Sequence, residues 1–214
     1  MSKFSLAISI IFAIIWSSAL YFDFTWQPRL GHDWYIYKLI MLTNINFVLD
    51  TIYSVLVVIS YKGTFQDITD FMFFTSVFPI AVVTSGLFWG LYAIEPELVM
   101  PAWVARLIPS WLNHVTHTLP IFYVLLETRV HKRKLPTKRT SFIMSCLLVF
   151  FYFVIIFAIR YIDGFWIYPL LQLFNFHHFV LAYIAGVAGF FSLTQLAVIL
   201  SGNRKNSSEK FKSN

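Results

Sequence analysis

Residues 142–159 read FIMSCLLVFFYFVIIFAI. No charge interrupts this run. The hydrocarbon core of a bilayer takes about 20 apolar residues of helix, within a range of about 17–25. The stretch therefore reads as a membrane-spanning helix. Comparable runs recur at 4–21, 39–61, 71–93, 111–126 and 179–200. The run at 111–126 is short unless it continues past Glu127 to Val130. The pattern predicts an all-α membrane protein, a bundle of six transmembrane helices at about 4–21, 39–61, 71–93, 111–130, 142–160 and 179–200. All six belong to one integral membrane domain, 1–214, with a basic tail from 202 to 214.

Composition supports this. The chain is 58% hydrophobic and 12% charged; soluble domains carry roughly twice that charged fraction. The first run exceeds the usual signal-peptide core of about 7–15 residues, and no small-x-small site follows it, so it reads as an uncleaved anchor. Cys146, the sole cysteine, lies inside the fifth run. An apolar setting keeps such a thiol protonated. No zinc-ligand spacing occurs, and no metal or cofactor is expected. Haem is disfavoured as well: His114 and His117 share one helix, and no facing mid-membrane histidine pair exists on two helices.

The net charge of +6 is unevenly placed. Arg129, Lys132, Arg133, Lys134, Lys138 and Arg139 crowd the loop between the fourth and fifth runs, and Arg204, Lys205, Lys210 and Lys212 follow the sixth. Basic loops stay cytoplasmic, which predicts that both termini are cytosolic. These cations then suit anionic membrane lipids; nucleic acid is not an expected partner. Lys210 and Lys212 resemble a dilysine retrieval signal, which points to the endoplasmic reticulum, with the plasma membrane as the alternative. The seven tryptophans, Trp16, Trp26, Trp34, Trp89, Trp103, Trp111 and Trp166, all map to the non-cytoplasmic half. They form either an interfacial belt or a wall for a large apolar ligand.

Polar residues within the runs mark the candidate chemistry, because a polar group in a span needs a partner or a task. Thr43, Asn46 and Asp50 in the second run are spaced i, i+3, i+7, on one helix face. The fourth run opens Trp-Leu-Asn-His-Val-Thr-His-Thr, residues 111–118. At 1.5 Å rise per residue, Thr43 lies about 8 Å and His117 about 9 Å below the same interface. A hydroxyl and an imidazole at one depth on two helices is the arrangement of a nucleophile and its base. The alternative for Thr43 is a bond back to its own helix carbonyl at i−4. For Asn46 and Asn113 it is helix packing. Asp50 needs a partner if charged, and an imidazole is one candidate. Gly-x-Ser-x-Gly is absent, which excludes an α/β-hydrolase elbow.

The block Pro109-x-Trp111-Leu112-Asn113-His114-x-x-His117-Thr118, then Leu119-Pro120 and Glu127, resembles the signature of the androgen-induced gene product and androgen-dependent TFPI-regulating protein family. Glu97-Leu98-Val99-x-Pro101 and Gly164-x-Trp166-x-Tyr168-Pro169-x-Leu171 resemble its flanking blocks, and Leu42-Thr43 falls where the family has a threonine. The resemblance implies a multipass membrane threonine hydrolase that cleaves fatty acid esters of hydroxy fatty acids. It maps the catalytic pair onto Thr43 and His117. An oxyanion donor is then required, for which Asn44, Asn113 and His114 are the candidates. Competing readings are a non-enzymatic lipid-binding or signalling protein and a small proton-coupled transporter using His117 and Asp50.

Overall fold

The computed structural model describes residues 2–26 and 34–210, and every regular element among them is helical. Helix α1 (Lys3–Thr25) starts at Ser2, whose hydroxyl accepts the Ser5 N–H at 3.1 Å. This is ordinary side-chain capping of an orphan N–H. The short α2 (Trp34–Ile40) leads into α3 (Leu42–Ile59) through an extended Met41. Helices α4 (Gln66–Met72) and α5 (Phe78–Ile94) join through a π-helical turn, Phe73–Val77. After α6 (Ala102–Ala105) come α7 (Ser110–His117) and α8 (Leu119–Val130). Then α9 (Lys138–Asp163) stops at Gly164, which takes a left-handed φ of 74°, and α10 (Phe176–Lys210) closes the fold.

Five helices are long and apolar enough to cross a membrane: Lys3–Thr25, Leu42–Lys62, Gln66–Ile94, Lys138–Asp163 and Phe176–Gly202. The fourth run departs from expectation. It is not one span over 111–130 but two helices meeting at Thr118. Pro120 gives the reason: it has no N–H for the carbonyl four residues back, and its ring crowds the preceding turn. The two helices nevertheless run end to end through the bundle. At one end Trp111 packs on Phe22, with ring centroids 4.9 Å apart. At the other, Tyr53 donates to Glu127 at 3.0 Å, and Ser5 and Ser9 reach His131 at 3.2 and 3.1 Å.

The π turn ties the centre to the last helix. Its Phe78 N–H bonds to the Phe73 carbonyl, which leaves the Phe74 carbonyl free of an α-helical donor. The Thr194 hydroxyl of α10 donates to that oxygen at 3.1 Å. The core gathers around Trp16, Phe47, Tyr53, Phe73, Phe74, Phe78 and Tyr123. In the most apolar window of the α4–α5 span 61% of residues are buried, against 17% in α9 and 11% in α10. The α9–α10 pair is therefore the outer, lipid-facing side. Trp16 belongs to the core rather than to an interface: it is fully buried, 5.7 Å from the Tyr123 ring. The readings for the Trp34 and Trp103 side chains and for Lys212 lie outside the described residues.

Candidate active site

Thr43 is the second residue of α3, and His117 is the last of α7. The Thr43 hydroxyl lies 3.2 Å from His117 Nε2. Other threonines of the bundle bond back to their own helices: Thr51 to the Phe47 carbonyl at 2.9 Å, Thr75 to Phe71 at 2.8 Å and Thr116 to Leu112 at 3.1 Å. Thr43 bonds across to another helix instead.

The second ring nitrogen fixes the tautomer. His117 Nδ1 lies 3.1 Å from the Asn113 backbone carbonyl, 2.9 Å from Asn113 Oδ1 and 3.0 Å from Thr116 Oγ1. A backbone carbonyl can only accept, so Nδ1 carries the proton. The neutral imidazole then turns the Nε2 lone pair toward the Thr43 hydroxyl. Phe88 of α5 stacks on the ring at 3.6 Å and 17°, covering one face.

The helix break builds the rest. Where α7 ends, the His117 carbonyl loses its helical donor, and the Trp89 indole N–H replaces it at 3.2 Å. The same N–H lies 3.1 Å from Thr118 Oγ1, which pairs with His114 Nδ1 at 3.0 Å. Trp89 also stacks on His114, with centroids 5.6 Å apart. Pro120 thus places His117 at a helix terminus held from α5, not in mid-helix.

The three oxyanion candidates separate. Asn113 sits behind the imidazole, on the nitrogen away from Thr43. His114 is exposed and turned to Trp89 and Thr118. Asn44 follows Thr43 in the chain and is half-buried at the α3 N-terminus. Asp50 does not orient the imidazole; it accepts from the Asn46 amide at 2.9 Å, and its other oxygen, like Asn46 Oδ1, has no protein partner.

A second polar cluster lies on the same seam. The Glu127 carboxylate accepts from Tyr53, ion-pairs with Arg133, and has His131 Nε2 at 3.3 Å. Arg133 also donates to the Tyr53 oxygen at 2.5 Å and to the Glu127 carbonyl at 2.7 Å, and stands 3.9 Å over the Phe73 ring. Thr43–His117 and Tyr53–Glu127 share one sequence offset, 74 residues. Helices α3 and α7–α8 therefore run parallel in a fixed register, bolted at both ends. Two large cavities lie elsewhere. One, of about 350 Å³, is lined by Gly63, Gln66, Asp70 and Lys134 among others. The other, of about 700 Å³, is an aromatic groove between α9 and α10 that includes Phe153, Phe157, Phe179 and Tyr183. Neither is lined by Thr43 or His117.

Apolar helices around a half-buried hydroxyl paired with a buried imidazole define a multi-pass membrane protein with a candidate active site inside its bundle. The chain matches the FAR-17a/AIG1-like protein family over residues 5–202 and belongs to that family. It is 29% identical to the human androgen-induced gene 1 protein over 103 residues, covering 48% of this chain and 43% of that one. It is 28% identical to the human androgen-dependent TFPI-regulating protein over 140 residues, 64% of this chain and 57% of that one. The Mesocricetus auratus androgen-dependent TFPI-regulating protein is 32% identical over 109 residues, 50% and 46% of the two chains. The chain spans about half the length of these relatives. No solved structure matches it.

Proposed function

We propose that this protein is an intramembrane hydrolase of fatty acid esters of hydroxy fatty acids, with Thr43 as nucleophile and His117 as general base. The observation that carries the reading is the cross-helix contact of 3.2 Å between Thr43 Oγ1 and a ring nitrogen whose partner nitrogen is committed as a donor. A threonine hydroxyl is a weak nucleophile until an adjacent base takes its proton. The chemical class of the ester comes from the family resemblance. Six passes, with the α7–α8 pair as the fourth and both termini cytosolic, put this site in the lumenal leaflet. The lipid enters laterally from that leaflet.

In the first half-reaction Thr43 Oγ1 attacks the ester carbonyl carbon while its proton passes to His117 Nε2. The tetrahedral intermediate collapses by breaking the ester C–O bond. The leaving hydroxy fatty acid takes the proton from Nε2, and an acyl-threonine remains. In the second half-reaction water gives a proton to Nε2 and attacks the acyl carbon. The Thr43–acyl bond breaks, Thr43 recovers its proton from Nε2, and the free fatty acid departs. Asn113 holds the Nδ1 proton throughout and steadies the imidazolium that forms in each half. The oxyanion faces the N-terminal end of α3, where the Asn44 carboxamide supplies a donor and the helix its positive pole.

The test uses the purified protein in lipid nanodiscs with a fatty acid ester of a hydroxy fatty acid, scoring released fatty acid by mass spectrometry. Thr43→Ala should abolish release and also abolish fluorophosphonate labelling, which peptide mapping should place on Thr43. His117→Ala should cost at least about 100-fold, the low end of general-base contributions. Full turnover by Thr43→Ala would overturn the nucleophile assignment.

A further inference from the structure

Helix α3 carries the proposed nucleophile in its first turn, yet it has no side-chain cap of its own. Its N-cap residue, Met41, has the extended backbone usual for that position, φ −67° and ψ 135°; its carbonyl accepts the Asn44 and Ile45 N–H groups, both at 3.0 Å, but its side chain makes no capping hydrogen bond. The first N–H groups of a helix lack intrahelical partners, and an uncapped end frays. Fraying here would move Thr43, the very next residue after the helix start.

The cap comes instead from far along the chain. The Leu42 N–H donates to the Tyr168 phenol oxygen at 3.1 Å. Tyr168 in turn pairs with the Tyr152 hydroxyl of α9 at 2.8 Å. The segment presenting Tyr168 is itself pinned. Gly164 turns the chain out of α9. Trp166 then wedges between α9 and α10, with centroids 5.7 Å from Phe157 and 5.2 Å from Phe179, and the Arg160 guanidinium 5.4 Å over its ring. Phe165 packs on Tyr37 of α2 at 5.3 Å. A wedged loop therefore delivers one hydroxyl to the first N–H of the helix that carries Thr43.

We propose that Tyr168, held by Tyr152, is a positioning residue: it caps α3 from outside and so sets the Thr43 hydroxyl against His117. The consequence for catalysis rests on the hydrolase reading; the cap itself does not. It also gives the outer α9–α10 hairpin a task, since that hairpin shapes the nucleophile's helix without touching the reacting atoms. Small displacements of a reacting group cost large factors in rate, on the order of 100-fold for about 1 Å.

Tyr168→Phe removes only the oxygen and keeps the ring. Two readouts separate the cap from the chemistry. The first is amide hydrogen exchange of the peptide spanning residues 41–45 in nanodiscs. Tyr168→Phe should speed exchange there at least about 10-fold, and Tyr152→Phe should do so by a smaller factor. Unchanged exchange in Tyr168→Phe overturns the cap whether or not the protein hydrolyses anything. The second is steady-state hydrolysis. Tyr168→Phe should lower kcat about 10-fold with KM unchanged. Adding Met41→Ser, which supplies a cap from within the chain, should restore much of both the rate and the protection. Restored protection without restored rate would overturn the positioning role, as would an unaltered kcat in Tyr168→Phe. A wild-type protein that hydrolyses no ester would overturn the hydrolase reading while the exchange result stood.

Discussion

Replacing Glu127 with Gln should loosen the bundle and reach the proposed site from its far end. The carboxylate is 1% exposed, and it holds the Arg133 side chain, itself 2% exposed, together with the Tyr53 hydroxyl. Glutamine keeps the volume and removes the charge. The guanidinium then stays buried without its paired carboxylate, left with neutral acceptors, among them the Glu127 backbone carbonyl and the Tyr53 oxygen, and the Phe73 ring. Removing one member of a buried ion pair costs about 3–5 kcal/mol. The remaining contacts put this case near the low end, about 3 kcal/mol. At roughly 2–4 °C per kcal/mol for a chain of this size, the melting temperature should fall by about 6–12 °C. Thermal unfolding in detergent reads this directly, with Arg133→Met and the double variant completing a cycle. The double variant should melt above Glu127→Gln, because no unpaired charge remains. Equal melting of Glu127→Gln and wild type would refute the account of the lower bolt. A double variant that loses the full sum of the singles would refute the coupling.

Asn113→Ala should reduce hydrolysis by only about 10-fold, because the Asn113 backbone carbonyl still accepts the Nδ1 proton at 3.1 Å; a complete loss in kcat would show that the carboxamide does more than orient the ring. Thr194→Val should cost about 1–2 kcal/mol in thermal stability and leave hydrolysis intact, since it strands the Phe74 carbonyl released by the π turn; an unchanged melting point would show that another donor satisfies that oxygen. Both termini should lie in the cytosol: a C-terminal tag should be reached by antibody in cells whose plasma membrane alone is permeabilised, and staining that needs the lumen opened would reverse the orientation.

How much of this was legible in the sequence differs from residue to residue. The helical class follows from apolar runs that length alone decides. Thr43 and His117 were reachable by depth, because parallel helices entering from one interface place equal residue counts at equal levels. The roles around them needed coordinates. The i, i+4 spacing of Asn113 and His117 was visible, but not that the amide faces the ring nitrogen away from Thr43. Pro120 was in plain view inside an expected span. Its effect depends on Trp89, which satisfies the carbonyl that the break exposes, and no local signal ties residues 89 and 117. Glu127 and Arg133 looked like a span end and a topogenic charge. Only the chain's return past His131 makes them an ion pair. Tyr168 appeared as part of a sequence block with no hint that its oxygen meets α3.

The division of the fourth segment bears on how the chain enters the bilayer. Ser110–His117 carries Asn113, His114, Thr116 and His117, and the helix after it opens with a proline at its second position. Polar side chains within a nascent helix oppose its release into lipid, and a continuous apolar length is what favours it. The first three long helices leave the ribosome before this segment does. By then α3 and α5 already offer Thr43, Phe88 and Trp89 as partners for His117. On the six-pass reading proposed above, the fourth pass is one that the earlier passes recruit, and its insertion and the assembly of the threonine–histidine pair become one event. A chain that ends at Val130 and continues into a glycosylation reporter, with Thr43 and Trp89 both replaced, should leave 110–130 on the translocated side more often than its parent, and glycosylation of the reporter would register the difference.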